Sequence, residues 1–199
     1  NCSGGIIGSF GAKSSPMGVI TITDCTNAAN ISTYRGTIAG IAGFVANATV
    51  TGCEYKIGEI DNSRENNVCA GIVGIAKDSN FSDCVATVNM KGHNAGSLDM
   101  RAGGIVAHLM GTSSISNCSY FGDITPRKLR DPGAPEYFGC IAGLAQDETI
   151  SITDCRCGGT INGNVISENN LSTYIIHYSP NGGPASDATV TGCSYWNGE

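Results

Sequence analysis

The 199-residue sequence predicts an all-β fold, a β-solenoid of about six coils of 28 to 38 residues, each holding three short strands. Three observations predict it. A tetrapeptide ending in cysteine recurs six times, and a glycine-flanked aliphatic element recurs ahead of it. The positions between are filled largely by Asn, Ser, Thr and Gly.

The tetrapeptide reads Ile22-Thr23-Asp24-Cys25, Val50-Thr51-Gly52-Cys53, Phe81-Ser82-Asp83-Cys84, Ile115-Ser116-Asn117-Cys118, Ile152-Thr153-Asp154-Cys155 and Val190-Thr191-Gly192-Cys193. Its rule is apolar, hydroxyl, small turn-former, cysteine. By subtraction the cysteines lie 28, 31, 34, 37 and 38 residues apart.

The opening element appears as Gly4-Gly5-Ile6-Ile7-Gly8, Ala39-Gly40-Ile41-Ala42-Gly43, Ala70-Gly71-Ile72-Val73-Gly74, Gly103-Gly104-Ile105-Val106-Ala107 and Gly139-Cys140-Ile141-Ala142-Gly143. A third apolar position follows most of the cysteines by six residues, at Ile31, Met90, Ile124 and Ile161, and one by seven, at Ile60. Short apolar runs bounded by Gly, Asn, Asp or Ser read as strands. Three short strands cannot bury an apolar face alone. Stacked as coils they can, because equivalent residues then sit one strand spacing apart, about 4.8 Å. A β-sandwich of hairpins is the alternative, but it does not require a near-constant tetrapeptide.

Composition agrees. Only 14% of residues are charged, against about a quarter in a typical soluble domain. The uncharged polar residues that replace them suit turns and strands and are poor helix formers. Net charge is −6, which offers no general attraction for nucleic acid or anionic lipid. The basic run Arg127, Lys128 and Arg130 sits in a Pro/Gly-rich stretch and reads as a solvated loop tip. No segment approaches the ~20 apolar residues of a membrane helix. The whole of 1–199 is expected to be a single repeat domain, a segment of a longer exported protein.

Two units carry a family resemblance. Ala70-Gly71-Ile72-Val73-Gly74 through Phe81-Ser82-Asp83-Cys84 to Met90-Lys91-Gly92 resembles the GLUG repeat of bacterial surface proteins. So does Gly103-Gly104-Ile105-Val106 through Ile115-Ser116-Asn117-Cys118-Ser119-Tyr120 to Gly122-Asp123-Ile124. The likeness is looser in the first and last units, where Tyr174-Ile175-Ile176-His177-Tyr178 replaces the opening element. It implies an extracellular or cell-surface location and a repeat architecture, and it brings no catalytic residue with it.

Ten cysteines would ordinarily suggest a disulfide framework in an exported chain. Six of them, Cys25, Cys53, Cys84, Cys118, Cys155 and Cys193, hold one repeat position and are expected to stack as a structural ladder of buried thiols. Parallel Cβ vectors suit disulfide geometry badly, and free cysteine behaves as a small hydrophobe. Cys2, Cys69, Cys140 and Cys157 stand outside the ladder, and any pairing among them stays open. No metal site is expected, because Cys155-Arg156-Cys157 has the wrong spacing for one.

No catalytic constellation emerges, no cofactor is implied, and the expectation is a non-enzyme. His93, His108 and His177 are far apart, with no nucleophile elbow nearby. Glycoside hydrolysis needs two carboxylates held about 5–9 Å apart. The dense acidic sites are Asp61 with Glu65, Asp99 beside Arg101, Asp131 with Glu136, and Asp147 with Glu148, all expected in loops or spacers. Six Asn-x-Ser/Thr sequons, at Asn1, Asn30, Asn47, Asn80, Asn117 and Asn170, are glycan acceptors only in a eukaryotic secretory route.

The connection between the third strand and the next opening element grows after the first: Asp61–Val68, then Lys91–Ala102, Thr125–Phe138 and Asn162–Thr173, each longer than the first. Such insertions map to one edge of a solenoid, where binding commonly resides. This candidate binding edge gathers Arg64, His93, Arg101, Arg127, Arg130 and Glu136. The expected function is adhesion or binding of a glycan or surface-protein ligand. A stalk or a filament subunit joined head to tail is the alternative, and a polysaccharide-active enzyme the third.

Overall fold

The computed structural model describes residues 2–11, 18–93, 100–127, 136–146, 149–176 and 188–199, apart from the side chains of 34–35, 63–67, 93 and 126–127. Three sheets wrap one interior, and the ladders between successive coils are parallel. This is the predicted β-solenoid; parallel rungs leave no place for a sandwich of hairpins.

The tetrapeptide sheet stacks Ile20–Thr23, Ala48–Thr51, Asn80–Ser82, Ser113–Ser116, Ile150–Thr153 and Ala188–Thr191 in chain order. Their register sets Ile22, Val50, Phe81, Ile115, Ile152 and Val190 in one column. The first five are buried, and each large aliphatic or aromatic there contributes about 1.5–3 kcal/mol.

Each of these strands ends in a corner that explains the rest of the tetrapeptide. Asp24, Gly52, Asp83, Asn117, Asp154 and Gly192 all adopt φ between 50° and 66°. Gly, Asn and Asp enter that left-handed region at least cost. The corner amides then bond to the next coil, Asp24 to the Thr51 carbonyl at 2.9 Å and Asn117 to that of Thr153 at 3.0 Å. Cysteine follows because its thiol is small, apolar and a donor. Cys84 and Cys118 each donate to the carbonyl two residues earlier at 3.3 Å, and all six repeat cysteines do the same.

The opening sheet stacks Ile7–Phe10, Ala42–Ala46, Val73–Lys77, Val106–Met110 and Ala142–Gln146. The chain enters it by a reversal at the Gly-Ile pair, where the Gly104 amide bonds the Gly139 carbonyl at 3.1 Å and the Ile105 amide that of Ile141 at 3.1 Å. A Cβ at Gly104 would lie 2.2 Å from the buried Tyr120 ring, so only glycine fits.

The third, long sheet carries the third apolar position. Ile31, Ile60, Met90, Ile124 and Ile161 share a column, and the last four are buried. Its strands are longer than the sequence suggests. Ile31–Ala39 and Glu59–Ala70 run unbroken to the next opening element. Asp61–Val68 is therefore strand and not an inserted loop, and the Asp61 and Glu65 pair moves with it. Ile31–Ala39 pairs along this stretch, Thr33 with Asn62 and Arg35 with Glu65, and supplies backbone partners that water would supply to a loop. Asp99, Asp131, Asp147 and Glu148 lie outside the described residues.

Six coils contribute to the tetrapeptide sheet, and among the described residues four of them pass through all three sheets into a further opening strand. The fifth departs from this path. After Arg156–Ile161 the chain folds back as Asn164–Val165 and continues through a short helix, Leu171–Tyr174. Even so, Ile175 takes the next opening rung, its carbonyl accepting from the amides of Ile141 and Ala142 at 3.2 and 3.1 Å. His177 and Tyr178 are outside the described residues. No described helix is long and apolar enough to cross a membrane.

Candidate functional site

Two stretches of the longer coils, 94–99 and 128–135, lie outside the described residues. Asn89–His93 precedes the first and Met100–Gly103 follows it; Ser119–Arg127 precedes the second and Glu136–Gly139 follows it. The strand ends on either side stay in register, His93 with Arg127, Met100 with Glu136 and Arg101 with Tyr137. The residues that flank 94–99 and 128–135 thus lie on adjacent rungs.

The structure distributes the six expected edge residues unevenly. Arg130 is outside the described residues, as are the side chains of Arg64, His93 and Arg127. The backbone places Arg64 within Glu59–Ala70 and brings His93 and Arg127 to neighbouring rungs. Arg101 and Glu136 do not meet in register, since Glu136 aligns with the buried Met100. Burial raises the Glu136 carboxyl above the usual carboxylate range.

Beside this edge the opening sheet holds a column set apart from the main interior, Ser9, Phe44, Ile75, His108 and Leu144. Next to it runs Thr37, Val68, Arg101 and Tyr137. His108 is only 5% exposed, a buried imidazole between Ile75 and Leu144. Arg101 Nη1 stands 2.6 Å from His108 Nδ1, and His108 Nε2 stands 3.0 Å from Gln146 Oε1. A guanidinium only donates, so Nδ1 accepts and the proton resides on Nε2, which donates to Gln146. The imidazole thereby orders Arg101 and Gln146 at the rim of the insertion edge.

Residues 99–125 match the family model of the GLUG motif. The chain carries a GLUG repeat. No curated protein and no solved structure matches the chain. The GLUG match spans one circuit: Met100–Gly103, the Gly104-Ile105 reversal, Val106–Met110, Ser113–Ser116 and most of Ser119–Arg127. One GLUG unit is one coil. It contains Arg101 and His108, while Gln146 comes from the coil stacked on it.

The cysteine of the GLUG coil, Cys118, lies in a file of six. Cys53, Cys84, Cys118 and Cys155 are buried, and Cys25 and Cys193 are half-buried. The Cys84 amide donates to Cys118 Sγ at 3.4 Å. Hydrogen bonding with Cys155 and Cys84, then burial, holds the Cys118 thiol well above its ordinary value. Cys69, outside the file, is pushed up to about 12 by burial. Cys84 and Cys155 are instead lowered to about 4, Cys84 by hydrogen bonds with Cys118 and Cys53 and Cys155 by those with Cys118 and Cys193, so the direction alternates along the file. No group of three metal-binding side chains converges among the described residues.

A pairing that the spacing left open appears in the coil after the GLUG match. Cys140 and Cys157 form a disulfide, with Cα atoms 5.9 Å apart. Cys140 takes the place of Gly40, Gly71 and Gly104, and Cys157 that of Tyr55, Ala86 and Tyr120. In the other coils those positions meet across the interior; Gly40 abuts the Tyr55 ring, and Gly71 abuts Ala86. The fifth coil replaces that contact with a covalent bond. The usable sequence signal was the position of Cys157 two residues beyond a repeat cysteine.

Proposed function

We propose that the chain is a non-enzymatic repeat module, exported to a bacterial surface, whose insertion edge binds a glycan or protein partner. One observation carries this reading: the strand ends that flank 94–99 and 128–135 lie on adjacent rungs of one sheet, His93 beside Arg127 and Arg101 beside Tyr137. Loops on a rigid scaffold are where binding concentrates. Arg101, Gln146 and Tyr137 supply a donor, an amide and an aromatic ring at the base of that edge. The buried, doubly bonded His108 fits an ordering role and not an acid–base one.

The test is a glycan array and a surface-protein pull-down with the intact chain and with variants in which 94–99 or 128–135 is replaced, residue for residue, by Gly and Ser. Replacement keeps the chain length needed to run from Lys91, level with Asp61, to Arg101, level with Val68. Each should abolish binding while the melting temperature holds. Binding that survives both replacements refutes the edge as the site.

A stalk or filament unit is the second reading, favoured by the unbroken parallel register of the tetrapeptide sheet over six strands, a stacking that can continue from chain to chain as it does from coil to coil. A molar mass that climbs with concentration in light scattering supports it, and a constant monomer refutes it.

A further inference from the structure

The tetrapeptide sheet presents a second surface. The residues on either side of its apolar column face outward, Thr21 and Thr23 on the first rung, Ser114 and Ser116 on the fourth. Two such positions on each of six rungs make twelve. Eleven are Ser or Thr, the twelfth is Asn80, and none is charged. All are exposed or half-buried.

The array is regular because the sheet has no register shift across its six strands. Rungs recur every ~4.8 Å, and the two columns stand roughly 6.8 Å apart. Side chains bridge rungs: Thr51 Oγ1 and Ser82 Oγ are 3.1 Å apart, and Ser114 Oγ donates to Asn80 Oδ1 at 2.7 Å. The lattice is ordered before any partner arrives. The neighbouring columns carry charge on some rungs, with Asp24, Asp83 and Asp154 at the corner and Glu54 and Arg156 beyond it, whereas these two carry none.

We infer that this face binds an uncharged, extended polysaccharide whose chains present hydroxyls at a regular spacing. A face without charge, on a chain of net charge −6, is complementary to an electroneutral partner and offers no counter-charge to a polyanion. A hydroxyl exchanged for water gains little singly. Recognition therefore rests on many contacts made together on a pre-ordered surface. Long, solid-phase chains are bound and short oligosaccharides are not. The surface is separate from the insertion edge and stands whether or not that edge binds anything.

The test is depletion of the intact chain from solution by microcrystalline cellulose, with polygalacturonate and growing ice as the other arms. Thr49→Lys with Ser151→Lys places two cations on outward positions without touching the apolar column; melting temperature reports that the fold persists. Thr49→Ser with Ser151→Thr keeps the hydroxyls. Wild type, the hydroxyl-preserving variant and the Gly/Ser replacements of 94–99 and 128–135 should all adsorb to cellulose, and the lysine variant should lose adsorption. The inference is overturned by absent wild-type adsorption, by equal adsorption of the lysine variant, by loss on replacing the edge, or by preference for polygalacturonate or ice.

Discussion

Removing the Cys140–Cys157 bridge asks whether the coils share one internal grammar. Cys140→Gly together with Cys157→Ala recreates the Gly71 and Ala86 pair of the third coil. The bridge spans 17 residues, and a closed loop of that size is worth about 3 kcal/mol of unfolded-state entropy. In a chain of this length a kilocalorie shifts the midpoint by about 2–4 °C, so the double variant should melt about 6–12 °C lower. A solenoid sums nearest-neighbour terms, so the loss should stay local. Amide exchange should quicken in Ala142–Gln146 and Arg156–Ile161 and hold in Val73–Lys77. Pairing Cys140→Gly with Cys157→Tyr should be worse. The column Tyr55, Ala86, Tyr120, Cys157, Tyr195 alternates large and small, and a tyrosine against Tyr120 adds about 1–3 kcal/mol of overpacking. Calorimetry and hydrogen exchange on oxidised protein decide it. An unchanged midpoint for the Gly/Ala variant, or exchange quickened evenly along the chain, refutes the reasoning.

Two further expectations follow from the corners and the edge. Asn117 holds φ 50°; Asn117→Val should cost about 1–2 kcal/mol, a fall of about 2–8 °C, while Asn117→Gly changes little, and equal midpoints for the two variants would contradict the left-handed corner. Burial raises Glu136, so the fold favours its protonated form. That contribution is complete below the unfolded value of about 4.3 and is lost as pH rises through the folded one. Glu136→Gln should therefore raise the midpoint at pH 7 and leave it unchanged at pH 3; the same gain at both would show that burial of the charge is not the cause.

Much of the fold was legible because a stacked coil repeats its chemistry at each rung. The column from Ile22 to Val190 and the column from Ile31 to Ile161 were both visible as periodic positions, and both are single files in the structure. The run Asn62-Ser63-Arg64-Glu65-Asn66-Asn67 was misleading. Its polarity suits a loop, yet pairing with the preceding coil, Thr33 with Asn62 and Arg35 with Glu65, engages its backbone without any apolar residue. The Arg101, His108 and Gln146 contact was half visible: His108 stood out as a histidine at an aliphatic position, but its partners lie on two other strands.

Sequence by itself determined the periodic features of this protein: parallel coils, glycine at the reversal, Asn, Asp or Gly at the left-handed corner, and cysteine after it. Each is imposed by local backbone geometry and repeated wherever that geometry recurs. Tertiary structure alone decided the features that depend on which residues meet across the interior or between rungs, the Cys140–Cys157 bond and the His108 contact. Distance along the chain does not encode those meetings, because connections of unequal length change the spacing while the stacking of the sheets restores the register.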